Sequence, residues 1–246
     1  MNLFKTIHTI RFDTIDSTHT WGKKNSCTLD PEAFVCITAL EQTAGYGRHQ
    51  RTWHSPKGLN ILATWCFTLP AHSSCMGNLG QVLSLSTASV LEAQGFSPEI
   101  KWPNDIRIYG KKIMGVLCET QLINNRTSIL LSFALNVNMN EDGLKQIDQP
   151  ATSLALVSGR MWNLDEIHNE ILKQFLLDLP ILMEQGFVFF REKYEQRLAF
   201  KGQTIRCFDG VKSVEGICNA ILPDGRLELL LPDASAILLS AGEVIF

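Results

Sequence analysis

The densest chemistry in the chain lies at Glu41-Gln42-Thr43-Ala44-Gly45-Tyr46-Gly47-Arg48-His49-Gln50-Arg51-Thr52-Trp53. Two glycines let backbone N–H groups come close to a ligand, and two arginines pair with carboxylate or phosphate oxygens. Trp53 adds a flat face on which a ring can stack. These residue types suit an anionic ligand that carries a planar heterocycle, such as a nucleotide. They also suit a solvated basic loop between two strands.

A second cluster is Lys101-Trp102-Pro103-Asn104-Asp105-Ile106, followed by Gly110-Lys111-Lys112-Ile113-Met114-Gly115. Pro-Asn-Asp is a turn, which accounts for Asn104 and Asp105 but not for Trp102 or the lysines. Lys101, Arg107, Lys111 and Lys112 against Asp105 give this stretch a net charge of +3, a local positive site for a polyanionic substrate. Ser17 and Thr18, within Asp16-Ser17-Thr18-His19, either bind a polar head group or cap a helix that begins near Thr20. Asn136-Val137-Asn138 ends an apolar run. His8, His54, His72 and His168 lack metal-ligand spacing, and His49 alone sits in a charged loop. Neither a Gly-x-Ser-x-Gly elbow nor a P-loop occurs, so no metal site, acyl-enzyme or Walker-type chemistry is expected.

Strands rich in β-branched and aromatic residues must position these clusters, at 34–40, 60–69, 100–102, 113–121 and 128–137. A helix is expected over 79–94, closed by Gly95. Asn163-x-x-Glu166 reads as a capping box ahead of Ile167, Ile171, Leu172, Phe175, Leu176 and Leu179, with Pro180 kinking or ending that helix. Phe187, Phe190, Tyr194 and Leu198 share the apolar face of another. Residues 202–246 carry three basic and six acidic residues. Short strands at 204–208, 213–220, 227–231 and 236–239, with turns at Asp209-Gly210 and Pro223-Asp224-Gly225, read as a small barrel-like module packed on the larger domain.

The 246 residues, 45% hydrophobic and 19% charged, fit one large domain or one with a small appendage. Net charge −3 disfavours a dedicated nucleic-acid binder. The strongest apolar run, 129–135, is far shorter than the roughly 20 residues that span a bilayer, and residues 1–12 alternate without a leader's apolar centre. A cytoplasmic protein that binds no membrane is expected. Seven cysteines without a Cys-x-x-Cys pair read as reduced core thiols.

Taken in order, Ser17-Thr18, Gln42-Thr43-Ala44-Gly45-Tyr46-Gly47-Arg48-x-x-Arg51-x-Trp53, Lys101-Trp102-Pro103-Asn104-Asp105, Lys112-x-x-Gly115 and Asn136-Val137-Asn138 resemble the biotin protein ligases. The similarity runs from about residue 10 to 195. It implies an α+β catalytic domain related to class II aminoacyl-tRNA synthetases over 1–200, and a C-terminal SH3-like β-barrel over 201–246. It further implies that ATP, Mg²⁺ and biotin form biotinyl-5′-AMP, and that biotin then passes to a lysine of a biotin carboxyl carrier protein.

By the same resemblance, Ser17, Thr18, His19, Gln42, Gly45, Tyr46, Gly47, Arg48, Lys112, Gly115 and Ala134 bind biotin. Arg48, Arg51, Trp53, Asn104, Lys112 and Asn136 bind ATP or the adenylate. Arg48 and Lys112 are catalytic, and Asp105 orients or deprotonates the acceptor lysine. Two departures stand out. Tyr46 and Gln50 replace an arginine and a glycine of the family's Gly-Arg run, and Ser132-Phe133-Ala134 replaces its glycine-rich strand. These are expected to tune affinity and leave activity in place. Only sixteen residues precede Ser17, too few for the helix-turn-helix domain that some relatives carry, so no sequence-specific DNA binding is expected. Both monomers and homodimers occur in the family. Two rival readings are a lipoate or octanoyl ligase of the same superfamily and a non-catalytic nucleotide-binding regulator.

Overall fold

The computed structural model describes residues 3–71, 73, 75–123, 125–208 and 212–245. The expected turn at Asp209-Gly210 lies outside them. The chain packs as two compact units, Met1–Ser73 with Gly110–Glu170, and Ser74–Tyr109 with Ile171–Phe246. In chain order the elements begin with β1 (Thr6–Ile15), α1 (Thr18–Asn25), β2 (Ala33–Gln42), β3 (Asn60–Pro70) and α2 (Leu79–Ala93). Next come β4 (Pro98–Lys101), β5 (Asp105–Ile108), β6 (Lys111–Ile123), β7 (Arg126–Asn136), α3 (Glu141–Leu144) and α4 (Leu154–Ser158). The long α5 (Leu164–Gln185) and α6 (Val188–Glu195) precede β8 (Thr204–Phe208), β9 (Ser213–Ile221), β10 (Leu227–Leu230), β11 (Ala236–Leu239) and β12 (Glu243–Ile245).

In the first unit the strands run β1-β2-β3-β7-β6. β1 and β2 are parallel, and α1 is the crossover that a parallel pair requires; the other pairs are antiparallel. One face carries Ala33, Val35, Ile37, Cys66 and Leu130 beneath α1, with Phe12 and Trp21 at the margin. Gly22 sets how close α1 comes. A Cβ there would lie 3.0 Å from Cys66 Sγ, 3.1 Å from Leu130 Cδ2 and 3.3 Å from Ile37 Cδ1. The opposite face is aromatic: Phe34, Trp65, Phe67 and Phe133 contact one another, and Trp65 and Phe133 also meet the ring of His168.

In the second unit α2, α5 and α6 surround a core of Leu83, Leu91, Ile100, Ile106, Phe175, Phe190 and Tyr194. Half of the expected capping box forms at the start of α5: Asn163 Oδ1 accepts from the N–H groups of Asp165 and Glu166, while Glu166 Oε1 accepts from the Asn163 side-chain amide at 3.2 Å. Pro180, however, neither ends nor splits α5. Buried Leu179 and Leu182 hold the helix on both sides of the missing hydrogen bond. The C-terminal strands run β11-β10-β9-β8-β12, a five-stranded antiparallel sheet in which no pairing among the described residues closes a barrel. Its edges, β11 and β12, have four and three residues and offer little ladder for closure.

Two stability predictions follow from this packing. Gly22→Val forces branched carbons against Cys66 and Leu130, and is expected to cost about 1–3 kcal/mol in urea unfolding. Burial drives the pKa of His168 down to about 4, and its Nε2 accepts from Trp65 Nε1 at 3.2 Å, so the ring is neutral in the fold. The unfolded chain binds this proton more readily. The ring's contribution is therefore complete above about pH 6.5 and is lost as pH falls from there toward 4, a loss of roughly 3 kcal/mol. Urea titrations across that window should show this slope, and His168→Gln should flatten it.

Candidate functional site

The site in the first unit starts from the end of β1, where Asp16 and Ser17 turn the chain into α1. Ser17 is the N-cap, its hydroxyl accepting from Thr20 N–H at 3.3 Å, so the capping role is real. That geometry aims Thr18 and His19 inward, and both are buried. Gln42, at the end of β2, accepts from Thr18 N–H at 2.7 Å and from the Thr18 hydroxyl at 2.9 Å. Thr64 of β3 donates to Thr18 Oγ1 at 2.9 Å and bonds Ser132 Oγ of β7 at 2.7 Å. Ser132 in turn meets His19 Nδ1 at 2.7 Å. A row of side-chain hydrogen bonds thus crosses the sheet face beneath α1, from Gln42 to His19.

Beyond His19 the charges begin. His19 Nε2 faces Glu119 Oε1 at 3.4 Å without a hydrogen bond, and Lys23 binds the other Glu119 oxygen at 2.7 Å. Burial pulls the His19 pKa down, while Glu119 opposes that shift. The Lys23 hydrogen bond holds the Glu119 carboxyl below its usual range. The ring of Tyr46 meets His19 edge-on at 5.7 Å, so the residue that replaces an arginine serves as a packing partner.

The loop after β2 folds back on itself. Tyr46 and Thr52 form a bridge, Gly47 N–H donates to Arg51 O at 2.8 Å, and Trp53 N–H donates to Gly45 O at 2.9 Å. The N–H of Gly47 is therefore committed within the loop. A Cβ at Gly45 would lie 2.8 Å from Gln42 Nε2 and push that amide aside, so glycine here leaves the Gln42 side chain in place. Arg48 and Arg51 flank a single turn in which His49 and Gln50 hold φ of 55° and 56°. At Gln50, where the family resemblance leads one to expect glycine, this left-handed backbone costs on the order of 1–2 kcal/mol. Trp53 lies under Lys112 Nζ, 5.6 Å from the ring centre, and its indole N–H is buried without a hydrogen bond.

Lys112 is anchored through its backbone to Pro150 O and Thr152 N. Thr152 O accepts from Asn136 Nδ2 at 3.1 Å. Gly115 and Ala134 face each other across β6 and β7, and Ala134 is level with Leu62 of β3. Asn60 pairs in register with Asn136; both are buried, and Asn60 Nδ2, Asn60 Oδ1 and Asn136 Oδ1 have no hydrogen-bond partner. Buried polar atoms left unmet within the chain call for an outside partner, water or ligand.

Asn60, Thr64 and Ser132 were not among the site residues read from the sequence. Their signal is the spacing of Asn60 and Thr64 along an otherwise apolar strand, which puts both on one face. His8, His54 and His168 stay dispersed, and His72 lies outside the described residues. Among the described residues no group of three or more His, Cys, Asp or Glu could hold a metal ion.

Asn104 and Asp105 are carried by the second unit. Lys101 and Asp105 pair across the β4-β5 hairpin, whose turn is Trp102-Pro103-Asn104 with a cis bond at Pro103. Trp102 is 2% exposed, and its indole donates to Gly225 O at 3.0 Å. Gln81 Nε2 donates to the same oxygen at 2.8 Å, and Tyr194 Oη donates to Pro103 O at 2.6 Å. Trp102 is thus an anchor between the hairpin and the 223–225 turn. The four cations read from sequence as one patch divide between units, Lys101 and Arg107 in the second and Lys111 and Lys112 in the first.

The profile of the Biotin/lipoate A/B protein ligase family matches residues 11–140. The chain belongs to that family. Among curated relatives it is 32% identical over 186 residues to the bifunctional ligase/repressor BirA of Bacillus spizizenii, an alignment covering 73% of this chain and 56% of that protein. It is 30% identical over 249 residues to biotin–protein ligase 2 of Arabidopsis thaliana, covering 90% and 72%. The chain thus spans little more than half the length of the Bacillus relative. The biotin protein ligase from Aquifex aeolicus, solved in complex with biotin and ATP, superimposes with a TM-score of 0.79 at 25% identity, covering 98% of each chain. Within the family, this chain groups with the biotin protein ligases.

The anchoring role of Trp102 is testable. Trp102→Phe keeps the apolar body but drops the indole donor, leaving Gly225 O to Gln81, and is expected to cost about 0.5–1.5 kcal/mol. Trp102→Ala should cost about 3–5 kcal/mol. Chemical denaturation of the two variants checks both figures.

Proposed function

We propose that this chain is an ATP-dependent biotin protein ligase that forms biotinyl-5′-AMP and then biotinylates one lysine of a biotin carboxyl carrier domain. The observation that carries the reading is the buried polar row Gln42, Thr18, Thr64, Ser132 and His19 on an apolar sheet face. A cyclic ureide offers two N–H donors, which the lone pairs of Thr64 and Ser132 can accept; the apolar head of lipoate has no such donor. Ser17, Gly45, Tyr46, Gly47, Gly115 and Ala134 complete the proposed biotin pocket.

In the first half-reaction a carboxylate oxygen of biotin attacks the α-phosphorus of ATP, and the bond to pyrophosphate breaks. Arg48 and Lys112 offset the charge that gathers on the phosphorus oxygens. Trp53 provides the face for adenine, and Arg51 and Asn136 hold the rest of the nucleotide. Mg²⁺ typically binds through substrate phosphates and one or two carboxylates, with water completing its shell. In the second half-reaction the lysine amine attacks the mixed anhydride, the C–N bond forms and AMP leaves. Asp105 orients that amine or takes its proton, because an amine of pKa near ~10.4 is a poor nucleophile at neutral pH.

We read β8 to β12 as the SH3-like module of this family, with the catalytic domain over 1–200. The chain's net charge of −3 counts against operator DNA as its partner. Free thiols at all seven cysteines suit the cytoplasm.

Incubation with biotin, Mg²⁺ and [α-³²P]ATP, resolved by thin-layer chromatography, should give a biotin-dependent adenylate that is consumed when carrier domain is added. Lys112→Met should lower adenylate formation by about 10²–10³-fold. Adenylate formed only with lipoate or octanoate, or none from folded protein, would reject the assignment.

A further inference from the structure

The polar row contains enough fixed donors to settle the direction of every hydrogen bond in it. Thr18 N–H can only donate, so the Gln42 atom it meets at 2.7 Å is the amide oxygen. The Thr18 hydroxyl, 2.9 Å from that oxygen, must donate to it. Each hydroxyl has one proton. Thr64 must therefore donate to Thr18, and Ser132 must donate to Thr64. Ser132 has no proton left for His19, so His19 Nδ1 must be the donor to Ser132. The row runs one way, from His19 to Gln42, and every hydroxyl proton in it is committed. What Thr64 and Ser132 offer a ligand is lone pairs, which accept the N–H groups of a ureide.

This order makes demands on His19. A neutral ring with its proton on Nδ1 turns a bare Nε2 toward the carboxylate of Glu119 at 3.4 Å. A neutral ring with its proton on Nε2 suits Glu119 but takes the Ser132 proton, which leaves two oxygens facing each other somewhere along the row. Only the doubly protonated ring meets both neighbours. The titratable and charged groups facing the ring are Glu119 from β6, Lys23 from its own helix and Tyr46 from the loop.

We propose that His19 is a positioning residue whose protonation, passed through Ser132, orients the hydroxyl row and so sets affinity for the cyclic ureide of biotin. The inference rests on the proposed function and deepens it. Binding then favours the protonated ring and draws a proton from solvent. Burial lowers the pKa of the free ring, which leaves room for that uptake.

Calorimetric titration of the full chain with biotin, without ATP, from about pH 5.5 to about 8.5 in buffers of different ionisation enthalpy, tests this. The wild type should bind more tightly as pH falls, by up to about tenfold per unit, the limit for one proton, with net proton uptake. His19→Asn places an amide where Nδ1 stood and donates to Ser132 at every pH, so the affinity it retains, however reduced, should show no pH slope. Ser132→Ala keeps His19 but cuts the link, and its slope should vanish too. Wild-type binding without a slope, or a slope that persists in both variants, would overturn the role of His19 and leave the ligase assignment standing. No biotin binding at any pH would overturn both.

Discussion

The close seating of α1 on the first unit's sheet is the constraint on which the site depends. Gly22 has nothing to spare against Cys66, Leu130 and Ile37, and this contact brings Thr18 and His19 within reach of strands β3 and β7. Sequence, packing and chemistry meet there. A glycine in a short helix permits a tight crossover, the crossover buries two polar side chains, and burial obliges those side chains to find partners. They find them in Gln42, Thr64 and Ser132. Such a row is expensive if broken and specific if matched, since each buried polar atom left unpaired costs roughly 1–3 kcal/mol.

The second unit solves a different problem. A turn carrying Asn104 and Asp105 would be mobile by composition alone, and the buried Trp102 ties it down. The indole and Gln81 share the oxygen of Gly225, Asn78 bonds Asp224 O, and Tyr194 bonds Pro103 O. The hairpin's backbone is thereby held from several sides by Trp102, Gln81, Asn78 and Tyr194.

Much of the architecture was legible because its physical signals are local. The strands at β2, β3, β6 and β7, the α2 helix and the Asn163 capping box all lie within a residue or two of their expected bounds. β1 was missed because its residues are mostly exposed, so it lacks the apolar run that marked the others. Pro180 was read as a break because the tertiary grip of Leu179 and Leu182 cannot be seen in a local window. Motif residues identified Gln42, Thr18 and His19, but Thr64, Asn60 and Ser132 emerged only when strands far apart in sequence were laid side by side. A hydroxyl in an apolar strand has an ordinary structural explanation until its partners across the sheet are known.

The most direct measurement is the affinity of Thr64→Val for biotin, with circular dichroism confirming that the fold is kept. Valine matches threonine in shape and removes only the hydroxyl at the centre of the row. If this row is the head-group pocket, biotin should bind at least about tenfold more weakly, a loss of about 1.4 kcal/mol. Unchanged affinity in a folded variant would contradict it, and would place the ligand's head group elsewhere in the molecule.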